Sequence, residues 1–198
     1  QSFGTPEGAR IVLCLARLHP KKGLDRLLEA IAELSGDVHL WLAGDGELDK
    51  ALRAQSVQLG IADRVHFLGW RHDRGALLRA AGVPAVPSRY EPFGTVVIEG
   101  WAAHVPVVAA AAVGPAATIA DGRTGLVVPI DDAPSLAAAL RRCLDDRVFA
   151  AALADAAAAA LEQNYSRAAV VRAYLDLYGR LVDGDAARTR PVGPVGAR

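Results

Sequence analysis

The chain has 198 residues, of which 52% are hydrophobic and 22% are charged, and 22 Lys and Arg residues balance 22 Asp and Glu residues. A chain of this length and composition can bury a core, as one substantial domain or two small ones, which argues against intrinsic disorder. The balance of charges gives no indication of a nucleic-acid-binding protein or of a polybasic membrane-binding protein.

Two features bear on where the protein works. No run of about 18–20 uninterrupted apolar residues occurs, so we expect no transmembrane helix. Cys14 and Cys143 fall in an apolar strand-like run and a helix-like run, and we interpret them as reduced core residues of a cytoplasmic protein. The chain begins at Gln1 and contains no Met, so we expect it to be a piece of a longer protein.

Short apolar runs alternate with helical patterns from residue 10 onward. Residues 1–9 have the composition of a linker, and the polar, Pro- and Gly-rich residues 183–198 are predicted to form a flexible tail. Strands are predicted at residues 10–16, 38–43, 65–69, 83–86, 105–109 and 124–128. Helices are predicted at residues 24–34, 47–59, 73–81, 92–103, 114–120, 134–144, 149–163 and 167–181.

This alternation predicts the α/β class for residues 10–182. Repeated βαβ units give a Rossmann-like open parallel sheet of about six strands, with helices on both faces and further helices at the C-terminal end. Ligands of such sheets bind at the carboxyl ends of the strands. We therefore expect a site built from the turns that follow the first four strands.

The most informative stretch is residues 87–100, with the sequence P-S-R-Y-E-P-F-G-T-V-V-I-E-G. It has the pattern of a strand end, a turn and the opening of a helix, and Pro92 suits a first helical turn because its missing amide is not needed there. Gly94 lets the backbone approach a ligand closely. Such a helix start would direct the free amides of Phe93, Gly94 and Thr95 at an anion.

Two carboxylates flank this predicted anion site. Glu91 precedes the helix, and Glu99 lies inside it, roughly 7–8 Å along the axis at ~1.5 Å per residue. Carboxylates repel a phosphate but accept hydrogen bonds from hydroxyl groups. A ligand with a central diphosphate and a hydroxyl-rich ring at each end, which is the shape of a nucleotide sugar, fits this layout.

In this context the spacing of Glu91 and Glu99 resembles the E-x7-E motif of retaining glycosyltransferases with the GT-B fold, the group often called family 4. The basic turn after the first strand resembles the R-L-x-x-x-K-G run of the same family, whose Arg and Lys grip the donor diphosphate. Arg17 and Lys22 match that run. Lys21 falls on an unmatched position, and we expect it to be solvated.

Two further turns carry the resemblance. Gly44 lies in a G-D-G turn similar to the family's G-x-G turn after the second strand. Gly69 and Arg71 lie in F-L-G-W-R, which resembles the family segment whose backbone lies against the nucleotide base. Trp70 in that segment could stack on a base, although an aromatic residue at a strand end more often packs in the core or at the rim.

The resemblance covers about residues 10–180 and implies the C-terminal, donor-binding domain of a two-domain retaining hexosyltransferase. Arg17 and Lys22 would stabilise the leaving diphosphate, Glu91 would orient the sugar hydroxyls as the third catalytic residue, and Glu99 would bind the ribose hydroxyls. The donor-binding residues implied are Arg17, Lys22, Gly44, Gly69, Arg71, Glu91, Phe93, Gly94, Thr95 and Glu99.

The expected partners are the nucleotide-sugar donor and an N-terminal acceptor domain that is absent from this chain. Peripheral membrane association would arise only through that missing domain. The chain alone is expected to bind nucleotide weakly and to transfer no sugar, because a site between two domains loses half its walls when one is removed. The five histidines lack metal-ligand spacing, so no metal or other cofactor is expected.

The chain departs from the family pattern at four positions. Gly82 and Ala117 stand where the family usually has acidic residues, Gly100 stands where it has Ala, and His104 stands where it has Gly, a place where His tolerates an unusual backbone angle. Two alternatives stay open: a sugar-nucleotide epimerase-type GT-B domain, and a degenerate non-catalytic module, which Gly82 and Ala117 would favour. The base, the sugar and the acceptor are also open.

Overall fold

The computed structural model describes residues 3–182, and the predicted tail at 183–198 lies outside them. The strands are β1 (Arg10–Leu15), β2 (Val38–Ala43), β3 (Val65–Gly69), β4 (Val83–Val86), β5 (Val108–Ala110) and β6 (Leu126–Val128). The α-helices are α1 (Leu24–Ala32), α2 (Asp49–Gln58), α3 (Arg74–Ala80), α4 (Thr95–Ala102), α5 (Val113–Thr118), α6 (Ala133–Asp145), α7 (Arg147–Asn164) and α8 (Arg167–Val182). Two single-turn 3-10 helices lie at Pro20–Lys22 and Ala62–Arg64.

The strands form one open sheet in the order β3-β2-β1-β4-β5-β6, with every pairing parallel. The chain adds β2 and β3 on one side of β1 and then returns to add β4, β5 and β6 on the other side. The loops after β1 and β4 therefore leave the sheet in opposite directions and open a crevice between them. The predicted Rossmann-like α/β fold with six strands is confirmed.

Helices cover both faces of the sheet because side chains of β1 alternate between two layers. Val12 and Cys14 pack in a cluster with α1 and α6, whereas Leu13 packs in a second cluster with α3. A third cluster joins α4 and α7 to β4 and β5 and includes Trp101. Each large apolar side chain buried in this way contributes roughly 1.5–3 kcal/mol. The apolar runs thus stabilise the frame that carries the loops.

The helix after the central motif begins later than predicted. The sequence placed Pro92 in its first turn, but α4 begins at Thr95. Gly94 has a φ of 85°, which is left-handed and cannot continue a helix, and its amide donates to the side chain of Glu91 at 3.2 Å. The helix can therefore form only after Gly94.

The last two strands are shorter than predicted. β5 begins at Val108 rather than at residue 105, because the Val105 amide donates to the carbonyl of Gly100 at 3.2 Å and Pro106 has no amide to donate. β6 begins at Leu126 rather than at residue 124. Both differences concern the ends of strands and leave the order of the sheet unchanged.

Two of the departures from the family pattern have a packing explanation. His104 has a φ of 61°, the unusual backbone angle expected for it, and its Nε2 lies 2.9 Å from the carboxylate of Asp155. A Cβ on Gly100 would lie 2.6 Å from Cγ2 of Val107. Glycine at position 100 therefore allows α4 to pack closely against the start of the fifth strand.

The predicted linker lies partly against the sheet. The ring of Phe3 meets the ring of Trp41 edge-on at 5.1 Å between centroids, and Nε1 of Trp41 donates to Oγ1 of Thr5 at 2.8 Å. Residues 3–9 contain no helix or strand. That they connect to another domain stays a prediction.

Both cysteines are free thiols in the core, as predicted. Cys14 and Cys143 are buried, and burial raises the pKa of each thiol to about 12. Of the helices between residues 3 and 182, none has the length and apolar character needed to cross a membrane.

A pair of histidines lies near one edge of the sheet. Nδ1 of His39 in β2 is 2.9 Å from Nε2 of His66 in β3, so one ring donates a hydrogen bond to the other. Burial lowers the pKa of both rings, and Arg64 lowers that of His39 further. The folded chain therefore favours an uncharged pair.

This pair predicts that the protein loses stability in mild acid. An unfolded His has a pKa of about 6.5, so as the pH falls from about 7 to about 5 the unfolded chain takes up protons before the folded chain does, and the free energy of unfolding decreases. Urea unfolding at a series of pH values measures the slope. We expect His66→Gln, which keeps a hydrogen-bonding side chain, to reduce it; an equal slope in the variant would assign the effect to other groups.

Candidate functional site

A cavity of about 320 Å³ opens at the carboxyl ends of the strands, in the crevice between the loops after β1 and β4. The turns after all four of the first strands contribute to its lining, as predicted from the fold class. The lining residues are Cys14, Leu15, Ala16, Arg17, Lys22, Ala43, Gly44, Trp70, Arg71, Arg74, Ala85, Val86, Pro87, Ser88, Glu91, Thr95 and Val96.

The cavity brings together six of the predicted donor-binding residues, which are Arg17, Lys22, Gly44, Arg71, Glu91 and Thr95. The other four lie beside it. Gly69 is bonded to the second turn through its carbonyl, and Phe93 is 49% exposed and faces the ring of Tyr165. The amide of Gly94 donates a hydrogen bond to the side chain of Glu91, and Glu99 lines a neighbouring cavity of about 300 Å³.

Lys22 and Glu91 form the central ion pair of the cavity. Nζ of Lys22 lies 2.6 Å from Oε2 of Glu91, and both side chains are mostly buried, at 26% and 18% exposed. Oε1 of the same carboxylate accepts from the amide of Gly94 at 3.2 Å. An anion that binds Lys22 must therefore compete with Glu91. If Glu91 loses Lys22, its carboxylate still accepts the hydrogen bond from the amide of Gly94.

The turn after β1 places Lys22 by a close approach between backbones. Lys22 ends a 3-10 turn whose first amide, that of Lys21, donates to Nδ1 of His19 at 3.1 Å. Gly23 follows with a φ of 63°, and a Cβ there would overlap the carbonyl oxygen of Pro87. Only glycine fits, since the two loops that carry Lys22 and Glu91 touch at this point.

A second glycine joins the turns after β1 and β2. Gly44 has a φ of 146°, and a Cβ on it would overlap the carbonyl oxygen of Ala16. Its amide donates to the carbonyl of Gly69 at 2.8 Å, so the third turn is also joined to the second. Arg17 follows Ala16 at the cavity wall, is exposed, and has no carboxylate within salt-bridge distance among residues 3–182.

The open amides at the start of α4 differ from those predicted. The sequence assigned this role to Phe93, Gly94 and Thr95, but Gly94 donates to Glu91 and Phe93 precedes the left-handed cap. Thr95 and Val96 are the first two residues of the helix, and both line the cavity. Their amides have no partner within the helix, so they and the helix dipole favour an anion at this point.

Arg74 was missed by the sequence analysis, although it links the two cavities. Its Nη1 lies 3.1 Å from Oε1 of Glu99, and it lines both the main cavity and the neighbouring one. Oε2 of Glu99 is buried and accepts no hydrogen bond within residues 3–182. An unsatisfied buried carboxylate oxygen is costly, so the pairing of Oε1 with Arg74 is the compensation that the described residues offer this carboxylate.

The turn after β3 offers backbone and an aromatic ring. Arg71 is already paired, donating to both carboxylate oxygens of Asp73 at 2.9 and 2.6 Å, which leaves its guanidinium little capacity for a ligand. Trp70 is 68% exposed and lies at the rim of the cavity. The ring is therefore at the surface and not in the core.

The two missing acidic residues do not touch the cavity. Gly82 is exposed and precedes β4, at the end of the sheet opposite the cavity, where its amide donates to the carbonyl of Ile11 at 2.9 Å. Ala117 is exposed on α5 and does not line the cavity. Neither departure alters the ion pair or the open amides described above.

The cavity wall does not favour catalysis by a Cys or Ser nucleophile or by a bound metal ion. Cys14 lies at its floor, but the pKa of the thiol, raised to about 12 by burial, keeps it protonated. Ser88 is buried, and no basic side chain hydrogen-bonds to it among the residues that the structure describes. Between residues 3 and 182 no group of three His, Cys, Asp or Glu side chains could hold a metal ion, and the expectation of a metal-free site stays a prediction.

Together these features define a Rossmann-like domain with a crevice at the point where its strand order reverses. Basic side chains line this crevice, and glycines allow its loops to approach each other closely. The chain belongs to the glycosyltransferase group 1 family: the family described as "Glycosyl transferases group 1" matches residues 1–160. The resemblance read from the motifs is thus confirmed at the level of the family, and the fold is that of GT-B glycosyltransferases.

Named relatives agree with this assignment. The lipopolysaccharide core biosynthesis glycosyltransferase LpsE of Rhizobium meliloti (strain 1021) is 39% identical over 173 residues, which are 87% of this chain and 51% of LpsE. The structure of Anabaena HepE in complex with UDP and glucose is 30% identical with a TM-score of 0.81, over 86% of this chain and 48% of HepE. The chain thus spans about half the length of each.

A third protein matches this chain as a single domain. The C-terminal domain of LpcC, a glycosyl transferase group 1 family protein from Francisella tularensis, has a TM-score of 0.74 and matches over 80% of this chain and 87% of that domain. At 20% identity this likeness shows the fold alone.

The close approach at Gly44 predicts a selective loss of stability. Gly44→Ala would force a Cβ into the carbonyl of Ala16, at a φ that L-residues rarely adopt, and we expect the free energy of unfolding in urea to fall by about 1–3 kcal/mol or more. Gly36→Ala is the matched control, because a Cβ there meets no atom within 4 Å. Equal stability of the two variants would contradict the close approach.

Proposed function

We propose that this chain is the donor-binding domain of a two-domain glycosyltransferase. It would bind a nucleoside-diphosphate sugar, from which the whole enzyme transfers a hexose to an acceptor hydroxyl with retention of configuration. The observation that carries the proposal is the Lys22–Glu91 pair, which lies beside the open amides at the start of α4. Lys22 and the amides could bind a diphosphate, and the neighbouring carboxylate of Glu91 could accept hydrogen bonds from sugar hydroxyls.

The diphosphate would bind between Arg17, Lys22 and the amides of Thr95 and Val96. As the bond to the sugar breaks, negative charge develops on the leaving diphosphate, and fixed donors directed at that charge lower the barrier. Arg17 has a planar fork that can grip a phosphate through two hydrogen bonds, and Lys22 is a compact charge. These groups would meet the diphosphate charge in the metal-free site that we propose.

Glu91 would bind the sugar. When the diphosphate recruits Lys22, the carboxylate loses its cation but keeps the hydrogen bond from the amide of Gly94. It is then an oriented acceptor for two sugar hydroxyls.

Glu99 would bind the ribose hydroxyls through its carboxylate, whose Oε1 is paired with Arg74 at 3.1 Å. The base would then lie toward the backbone of the turn after β3, with Trp70 at the rim. HepE has been solved with UDP and with UDP-glucose, so these are the first ligands to test. Titration with these ligands tests the base and the sugar.

The remainder of the enzyme is part of the proposal. An acceptor-binding N-terminal domain would complete the cleft, and the isolated chain would bind nucleotide weakly and transfer nothing, because half of the cleft is missing. Membrane association would arise only through that domain. The cytoplasmic location stays a prediction. Sugar transfer by the isolated chain would contradict this division of labour.

The first prediction concerns the two cations. Calorimetric titration with UDP, GDP and ADP is expected to show saturable binding of one nucleotide, and Arg17→Ala with Lys22→Ala to abolish it. Each charge-assisted hydrogen bond contributes about 1.5–3 kcal/mol, so each single substitution should weaken binding roughly 10- to 100-fold. Lys21→Ala is the matched control, because Lys21 is exposed and does not line the cavity.

Two outcomes would contradict the assignment. Equal losses in Lys21→Ala and Lys22→Ala would show that only the overall charge of the turn matters. Absence of binding by every nucleoside diphosphate, in this chain and in the full-length protein alike, would favour the degenerate-module alternative.

A second prediction separates the roles of Glu91. Glu91→Gln removes the negative charge that competes for Lys22, so we expect affinity for UDP to rise while the preference for UDP-glucose over UDP falls by about 10-fold, the value of one lost charged hydrogen bond. Paired titrations measure the ratio. Glu47→Gln is the control, since Glu47 is an exposed carboxylate outside the cavity. A parallel decrease in both affinities would argue against the exchange of partners.

A further inference from the structure

Arg89 lies between Ser88 and Glu91 in the central motif, yet it does not line the cavity as they do. Its side chain is 29% exposed and is paired with acidic side chains of other segments of the chain. No local sequence pattern indicates a role for Arg89, because its partners are distant in the chain. What it holds together is the two loops that form the cavity.

The guanidinium of Arg89 donates to three residues. Nη1 and Nη2 donate to the two carboxylate oxygens of Asp25 at 2.8 and 2.6 Å, and Nη1 also donates to the carbonyl of Pro20 at 2.9 Å. Nε lies 2.6 Å from Oδ1 of Asp131. Every nitrogen of the fork is thus engaged inside the protein, which leaves Arg89 unsuited to bind a ligand directly.

These partners surround Lys22, which forms the central ion pair of the cavity. Pro20 begins the 3-10 turn that ends at Lys22, and Asp25 lies in the first turn of α1 that follows it. The backbone adds to this, since the amides of Arg89 and of the next residue both donate to the carbonyl of Lys21, at 2.9 and 3.2 Å. The turn that carries Lys22 is therefore fixed to the loop that carries Glu91.

Asp131, in the loop between β6 and α6, holds an unfavourable backbone conformation where it meets Arg89. Its φ is 62°, in the left-handed region that favours glycine. Such strain persists only where surrounding interactions impose it, and it concentrates at functional sites. The cap of α6 does not require Asp131, because the side chain of Asp132 accepts from the Ser135 amide at 2.9 Å.

The ion pair of Arg89 with Asp25 stays charged at neutral pH. Burial is the largest single influence on Asp25 and would raise its pKa, but the hydrogen bonds and charge of Arg89, a backbone hydrogen bond and the charge of Arg26 together outweigh burial, and the pKa is lowered. The pKa of Arg89 is raised by the same bonds. The network therefore holds the two loops together over the whole neutral range.

We propose that Arg89 is a positioning residue of the donor site, which sets the contact between Nζ of Lys22 and Oε2 of Glu91 by holding the turn after β1 against the loop after β4. The proposal rests on the proposed function, since the ligand whose affinity Arg89 would control is the nucleoside diphosphate. Arg89 itself touches no part of that ligand. Its effect is transmitted through Lys22.

The first test does not involve a nucleotide. The chain has three lysines, Lys21, Lys22 and Lys50, so protein labelled with ¹³C,¹⁵N-lysine gives a side-chain NMR spectrum of three residues, and Lys22→Arg identifies one of them. We expect Arg89→Gln to shift the Lys22 signal in the same direction as Glu91→Gln, while the signal of Lys50, in α2, stays in place. An unchanged Lys22 signal in Arg89→Gln would overturn the proposal.

A second variant separates positioning from folding. Asp131→Gly removes the partner of Nε but also relieves the left-handed strain, because glycine adopts that φ freely. We expect its thermal unfolding to stay close to that of the wild type while the Lys22 signal moves. A Lys22 signal that stays at the wild-type position in this stably folded variant would overturn a role for the Arg89–Asp131 pair in setting the contact.

The third test is a double-mutant cycle on nucleotide affinity, using whichever of UDP, GDP or ADP binds. We expect Arg89→Gln to weaken binding about 10-fold or more, since small misplacements of binding groups are costly, and to have no further effect in the Lys22→Ala background. Equal losses in both backgrounds would show that Arg89 acts independently of Lys22, which overturns the proposal.

These experiments distinguish failure of the proposed function from failure of the positioning role of Arg89. If the wild-type protein binds no nucleoside diphosphate, the proposed function fails, and the lysine spectra still decide whether Arg89 sets the Lys22–Glu91 contact. If the wild type binds but Arg89→Gln binds equally well, the positioning role alone is overturned.

Discussion

Backbone-to-backbone contact between the loops at the carboxyl end of the sheet is the constraint on which the rest of the site depends. Gly23 touches the carbonyl of Pro87, and Gly44 touches that of Ala16, so a single methyl group at either glycine would force the loops apart. The strand order creates the crevice, but these contacts make it narrow enough for side chains from opposite loops to meet. The Lys22–Glu91 pair is a consequence of that narrowness.

The two carboxylates of the site have the same arrangement: each is paired with a basic side chain that a ligand could displace. Each carboxylate that we assign to a hydroxyl-rich ring is paired with a cation: Glu91 with Lys22 and Glu99 with Arg74. Partly buried charges are costly unless they are paired, and these two cations reduce that cost, although Oε2 of Glu99 has no donor among residues 3–182. A ligand with a diphosphate and hydroxyl groups offers new partners to both members of each pair. The family assignment and this arrangement of charge point to the same class of ligand.

The sequence predicted the fold and most of the cavity, because both depend on local patterns. Apolar runs and turns gave the sheet, and the motif around Glu91 identified its loop. It did not reveal that Gly94 occupies its amide with Glu91, which delays the helix and moves the open amides by one or two residues. Nor could it reveal Arg74 or Arg89, since their roles arise from partners that lie 25 and 64 positions away in the chain. Long-range ion pairs have no local signature.

The close approach of the loops also bears on how the domain moves. Their walls are joined by amide-to-carbonyl hydrogen bonds, such as those from Gly44 to Gly69 and from Arg89 to Lys21. Opening such a wall means breaking several bonds together, so these amides should exchange with solvent only in large, rare openings. The backbone has little freedom to fold over a ligand. In the two-domain enzyme that we propose, adaptation during catalysis would then fall to side-chain rotation, on timescales of picoseconds to nanoseconds, and to movement of the domains relative to each other.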